Sequence, residues 1–387
     1  MDKRVYFLMI ISFIIGMVEL VISGILDLIA TDLNVSISQV GQLITIFSVI
    51  FAVASPILLI MTARIERKRL TLICLYVFLV GNIVTVLSPD YMTLLIGRII
   101  LALSGALLII LCLVMAPTLV EEKYRGRAIG IVSMGVSASL VLGVPIGLIL
   151  GTKFGWRIVF IVITFLTILS IIGVHAFMDR LTPQKVLPLS SQLAPLKRMK
   201  VSLALATTFL YMAGHSVMYT YFKPYIEETT SLSNNWVSMI YLLFGFAAVF
   251  GGGIGGVLAD LLGSKKTIIL SLAIFSAVFI ILPFSIEFLV LFLSITVIWG
   301  LLSWAISPAM QTYLIETSPE TAGIQQSLNN SALHLGIAFG SVVGGVVIEQ
   351  FSILSNPIFG GILILLSLIT AFLSIRSTSL VKIEKPI

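Results

Sequence analysis

The sequence predicts an all-α membrane protein in which twelve transmembrane helices form two pseudo-symmetric six-helix bundles. Three observations lead there. Of the 387 residues, 59% are hydrophobic and only 10% charged, whereas soluble domains run about half apolar and about a quarter charged. Apolar runs of membrane-spanning length recur along the whole chain. Finally, the chain falls into register with itself when shifted by 197 residues.

A helix needs roughly 20 apolar residues to cross the hydrocarbon layer. The first run, 5–30, follows "MDKR"; it is too long for the apolar part of a secretion signal and lacks a small-residue cleavage site, so it reads as a span. Run 38–62 is closed by Arg64, Arg67, Lys68 and Arg69, and runs 70–88 and 91–118 by Lys123, Arg125 and Arg127. Runs 128–150 and 157–177 flank Lys153 and Arg157 and complete the first half, 1–177. A polar, proline-containing, basic linker follows at 178–200. The second half, 201–376, repeats the plan with runs 201–222, 236–259, 267–285, 287–313, 324–348 and 356–376. Only Ile286 and Glu287 part the ninth run from the tenth, and residues 377–387 form a tail.

The basic residues test this count. With a cytoplasmic N-terminus, 19 of the 23 Lys and Arg fall on the inside; Lys153, Arg157 and Lys223 fall outside, and Arg98 lies within a span. That asymmetry is what the positive-inside rule demands, and it places both termini in the cytoplasm. The net charge of +6 therefore describes membrane topology, which removes nucleic acid as a partner. Cys74 and Cys112 lie within apolar runs and read as small core residues.

In the shifted alignment, 36–70 lies over 233–267, with Phe47 on Phe244, Lys68 on Lys265 and Arg69 on Lys266. Two six-helix halves joined by a cytoplasmic linker are the plan of a secondary transporter with its site between the halves. The loop after the eighth span carries Gly256, Asp260, Gly263, Lys265 and Lys266. The loop after the second keeps Arg64, Arg67 and Arg69 but has Ala63 and Glu66 where the repeat has Asp260 and Gly263. "RIILALSGA" begins at Arg98, and "GVSASLVLGVPIGLILG" supplies Gly143, Pro145 and Gly147 ahead of "GWRIVF". With these motifs the chain resembles the major facilitator superfamily, in its twelve-span drug:proton antiporter branch, over nearly its whole length. Within that branch, 62–70, 299–316 and 325–347 resemble bacterial purine-base efflux pumps. The resemblance implies export by alternating access, with the loop and fifth-span motifs, Arg64, Arg67, Arg69, Asp260, Gly263, Lys265, Gly143, Pro145 and Gly147, serving conformational change. If an acid at position 63 normally locks one state, that lock is altered here or carried by Glu66.

Chemistry points to a few polar residues within the spans. Glu19 is the one acid deep in a span, and a charge there costs on the order of 2.5–3.5 kcal/mol. A carboxyl balanced between desolvation and a nearby cation can take up and release a proton; the competing reading is a carboxyl fixed in a hydrogen bond or ion pair. Asp27 lies about 12 Å further along the helix, as an outer relay or substrate contact, or as a solvated acid. Arg98 needs an acceptor, either Glu19, as the resemblance implies, or backbone carbonyls. Tyr211, His215 and Tyr219 share a helix face by i,i+4 spacing. That face would either clamp a planar heterocycle or pack as core. Asn330 and His334 share another and offer donors and acceptors to such a ring.

No G-x4-G-K-[ST] phosphate loop, metal motif or nucleophile elbow is present, so the reading is a transporter and not an enzyme. The resulting expectation is a bacterial inner-membrane monomer driven by the proton gradient, with no cofactor. Its partners are protons, the lipid bilayer and a small organic solute such as a purine base. A broad multidrug exporter is the alternative.

Overall fold

The computed structural model describes residues 2–62, 64–121, 125–180, 194–230, 232–317 and 322–377. Ala63, Lys123, most of the linker and nearly all of the tail lie outside these residues, as do the side chains of Arg125 and Arg127. The helices are α1 (Lys3–Leu20), α2 (Ile22–Leu33), α3 (Ile37–Met61), α4 (Arg67–Val86), α5 (Tyr91–Met115), α6 (Arg125–Ala138), α7 (Val144–Phe154) and α8 (Arg157–Phe177). After the linker come α9 (Met199–Tyr219), α10 (Phe222–Thr229), α11 (Asn234–Leu262), α12 (Ser264–Ser285), α13 (Leu289–Thr317), α14 (Ala322–Gln350) and α15 (Asn356–Arg376). Among the described residues, eleven stretches are long and apolar enough to span a membrane, and α1 with α2 makes a twelfth as a pair bent by 47°.

That bend corrects the expectation of a straight first span. Ile25 leaves helical geometry (φ −123°, ψ 17°), and the hydroxyl of Ser23 donates to the carbonyl oxygen of Leu20 at 2.8 Å. Side-chain bonding to the preceding turn competes with the helical ladder and bends it. The fifth span is also interrupted. Pro145 has no N–H, and a π-helical turn at Ser139–Gly143 joins α6 to α7 just before it. The seventh span stops at Tyr219 rather than 222, and α10 continues separately.

Helix packing is close where small residues allow it. Gly143 faces Met17, where an added Cβ would lie 3.1 Å from Cγ, and Gly147 faces Val21. These glycines bring the fifth span against α1 and α2, because without a hydrophobic drive between helices in lipid, close approach supplies the attraction. Gly263 ends α11 at φ +85° and ψ 148°, a backbone region open essentially to glycine alone.

At one end of the bundle Arg4 donates to Asp179 and Ser374 donates to the carbonyl oxygen of Lys200; the opposite end is the far end. The halves meet from the helix middles outward to the far end. Ser331 donates to the carbonyl oxygen of Ala52 at 3.1 Å, and Thr45 to that of Ala338 at 3.3 Å. Tyr221 lies against Gly41, Gly245 against Val141, and Tyr241 donates to the carbonyl oxygen of Ser23 at 3.3 Å.

Candidate solute and proton site

The bend after Leu20 places Glu19 on the last turn of α1, where the first half meets α14. Its carboxylate oxygen Oε1 lies 3.5 Å from Nδ1 of His334, and the two side chains are 16% and 7% exposed. Nδ1 of His334 makes no hydrogen bond among the described residues. The imidazole is covered by Phe51 of α3, with ring centroids 4.4 Å apart. Phe51 stacks at 5.8 Å on Phe47, and Phe47 in turn carries the guanidinium of Arg98 4.3 Å above its ring centre. Glu19, His334, Phe51, Phe47 and Arg98 thus form one polar-aromatic group contributed by four helices of both halves.

Arg98 is fully buried. Its Nη1 donates to the carbonyl oxygen of Val18 at 2.8 Å, on the helix that ends beside Glu19. Its Nε and Nη2, which share one edge of the guanidinium plane, find no acceptor among the described residues. Glu19 and Arg98 lie within electrostatic reach of each other, yet no ion pair forms between them within 4.0 Å. The expected contact is therefore a field interaction in this form, and the carbonyl of Val18 takes the direct bond.

The second half holds an uncharged counterpart. Trp299 donates its indole N–H to Nδ1 of His215 at 3.1 Å. An indole only donates, so Nδ1 is an acceptor and the imidazole is neutral with its proton on Nε2. His215 stacks on Tyr219 at 5.1 Å and lies 6.2 Å from Phe244. The face of Tyr211, His215 and Tyr219 read from the sequence exists, but in this form it is packed by Trp299 and Phe244 inside its own half. The buried hydroxyl of Tyr219 faces Ser23 of the first half.

Asn330 and His334 do not share a buried face in this form. Asn330 is exposed while His334 is buried. The neighbouring Asn329 is the buried amide, accepting from the hydroxyl of Thr208 at 2.6 Å. Asp27 is not a free solvated acid: it pairs across the halves with Nζ of Lys223 at 2.5 Å. Lys223 is the functional candidate that sequence reasoning passed over. Its signals were a lysine inside the apolar "YFKPYI" and an acid, Glu227, one turn later.

The loop-motif residues lie at the end that carries Arg4 and Arg376, whereas Gly143, Pro145 and Gly147 lie within the fifth span. Arg64, Arg69, Asp260 and Lys265 are exposed, and Arg67 is buried at the start of α4. Glu66, at the position where the repeat has Gly263, caps α4, accepting from the backbone N–H groups of Lys68 and Arg69 at 2.8 and 2.9 Å.

The family model described as Major Facilitator Superfamily matches residues 8–228 and 204–386. An uncharacterized MFS-type transporter of Bacillus subtilis (strain 168), YbcL, is 32% identical over 374 residues, covering 97% of this chain and 96% of that protein. The inner membrane transport protein YdhP of Escherichia coli (strain K12) is 29% identical and covers 94% of each chain. Among solved structures, a bacterial homologue of the human lysosomal transporter Spinster, in an inward-facing and unoccupied conformation, superposes with a TM-score of 0.80. That match covers 97% of each chain at 16% identity and supports the fold alone. The chain belongs to the major facilitator superfamily, whose members are transporters and not enzymes.

Proposed function

We propose that this transporter is a proton-coupled antiporter that exports a small planar organic solute, with purine bases as the class. The observation that carries the proposal is Glu19: a lone membrane acid at the junction of the halves, held between the imidazole of His334 and the field of Arg98. A carboxylate accepts hydrogen bonds only, whereas a protonated carboxyl also donates. A solute whose N–H groups bond to the Glu19 carboxylate therefore competes with a proton for the same oxygens, and that competition is the basis of antiport. The open Nε/Nη2 edge of Arg98 offers the ionised carboxylate a two-point partner once solute and imidazole leave it.

The aromatic faces of Phe47 and Phe51 and the imidazole of His334 suit a flat heterocycle, which stacks on such rings at about 1–3 kcal/mol per base. Burial between two halves that separate at alternate ends gives access to one side at a time. Export, rather than import, rests on the resemblance of the Gly143–Pro145–Gly147 segment to the antiporter motif. The basic residues favour cytoplasmic termini in a bacterial inner membrane, and the polar group is complete within one chain, consistent with a monomer.

The test is uptake of radiolabelled hypoxanthine and adenine into everted vesicles under an imposed proton gradient. Gradient-dependent accumulation of either base supports the proposal. Accumulation of lipophilic cations with no movement of either base would replace purines by a multidrug substrate range.

A further inference from the structure

At the far end, a second ionic group joins the halves. Lys223, on α10 of the second half, has no solvent-exposed surface. Its Nζ lies 2.5 Å from Oδ1 of Asp27, on α2 of the first half, and 3.5 Å from Oε1 of Glu227, one turn along its own helix. The two acids are 23% and 36% exposed. Beside them, Tyr241 of the second half donates to the carbonyl oxygen of Ser23 in the first. The lysine therefore has a short bond to the opposite half and a longer contact within its own.

When the far end opens, Asp27 leaves with the first half. A buried ammonium that loses its partner is strongly unfavourable, but a lysine side chain is a compact charge on a flexible four-carbon stem and can re-aim. Glu227 stays with it, because i and i+4 positions face each other on a helix. We propose that Lys223 is the gating residue of the far end: its ammonium is bound to Asp27 while the halves are closed and is handed to Glu227 as they part. Asp27 stabilises the closed form; Glu227 stabilises the open one. The two carboxylates, both partners of one lysine, act in opposite directions.

This assignment makes a two-sided test. Cys74 and Cys112, both buried, are replaced by alanine, and a single cysteine is placed at Ala338, which is 3% exposed at the junction of α3 and α14. The full chain in nanodiscs is treated with a membrane-impermeant maleimide, and the rate of labelling reports the fraction of time the far end is open. Asp27→Asn should raise that rate about tenfold, and Glu227→Gln should lower it several-fold. Asp27→Glu, which keeps the carboxylate, should stay near the parent rate. In a Lys223→Gln background, Glu227→Gln should have no further effect, and this arm remains informative should Asp27→Asn fail to fold. Equal-sign shifts for the two acids, an unchanged rate in Glu227→Gln, or a Glu227 effect that survives removal of Lys223 would each overturn the hand-over. The readout needs no transported solute, so it stands apart from the choice of purines.

Discussion

Trp299 donates to Nδ1 of His215 at 3.1 Å in the second half, while in the first half Arg98 lies 4.3 Å over Phe47 beside Glu19. The two groups are related by the internal repeat. Phe244 is the counterpart of Phe47, Glu19 falls on Ser216 next to His215, and Trp299 sits one turn beyond the counterpart of Arg98. One half has kept an acid and a cation; the other has an imidazole fixed by an indole. Under the proposed mechanism the proton is exchanged at Glu19, whereas the His215 group packs as an aromatic anchor of the second half.

Trp299→Phe should lower stability by about 1–3 kcal/mol, because it leaves the buried Nδ1 of His215 without its donor. Thermal unfolding monitored in detergent should show the loss. The ratio of protons to solute moved should be unchanged, since neither residue exchanges charge. A changed ratio with unaltered stability would place His215 in the coupling path.

His334→Leu should retain the fold but weaken solute binding by about tenfold, as expected for removing one ring that stacks on the solute at about 1–3 kcal/mol. Equilibrium binding to the purified protein measures this directly. Wild-type affinity in the variant would remove His334 from the solute site.

Arg98→Lys keeps the charge and loses both the planar edge and the geometry of the bond to Val18. Arginine and lysine are not equivalent at such a two-point site. Driven transport should fall about tenfold while solute exchange at equal pH survives, as read in proteoliposomes with and without a gradient.

Glu66→Ala should destabilise the protein by about 1 kcal/mol through loss of the α4 cap, and Glu66→Asp, which keeps a capping carboxylate, should recover most of it. Gly263→Ala should cost about 1–3 kcal/mol, because its backbone sits where a Cβ is strained. Unfolding midpoints of the three variants check both statements.

The spans were legible because length and apolarity are properties of the chain itself. The two halves were legible through the repeat, and Glu19 because a lone acid in an apolar run has few explanations. The bend after Leu20 was not, since it depends on local bonds such as that of Ser23. Neither was the choice of Asn329 over Asn330 as the buried amide: neighbours on a helix point about 100° apart, and in a membrane both faces of the helix are apolar, so periodicity does not say which faces inward. Lys223 read as an outside charge because its partner Asp27 is 196 residues away in the sequence. The face of His215 stayed open between a solute clamp and core packing because Trp299, which bonds the imidazole, lies 84 residues further on.

The proposed coupling of proton to solute at Glu19 is checked with the Glu19→Gln variant. Wild type and variant are reconstituted in proteoliposomes, and uptake of radiolabelled hypoxanthine is measured with and without an imposed proton gradient. Gradient-driven accumulation should disappear in the variant while exchange at equal pH persists. Equal driven accumulation by both proteins would contradict the coupling at Glu19.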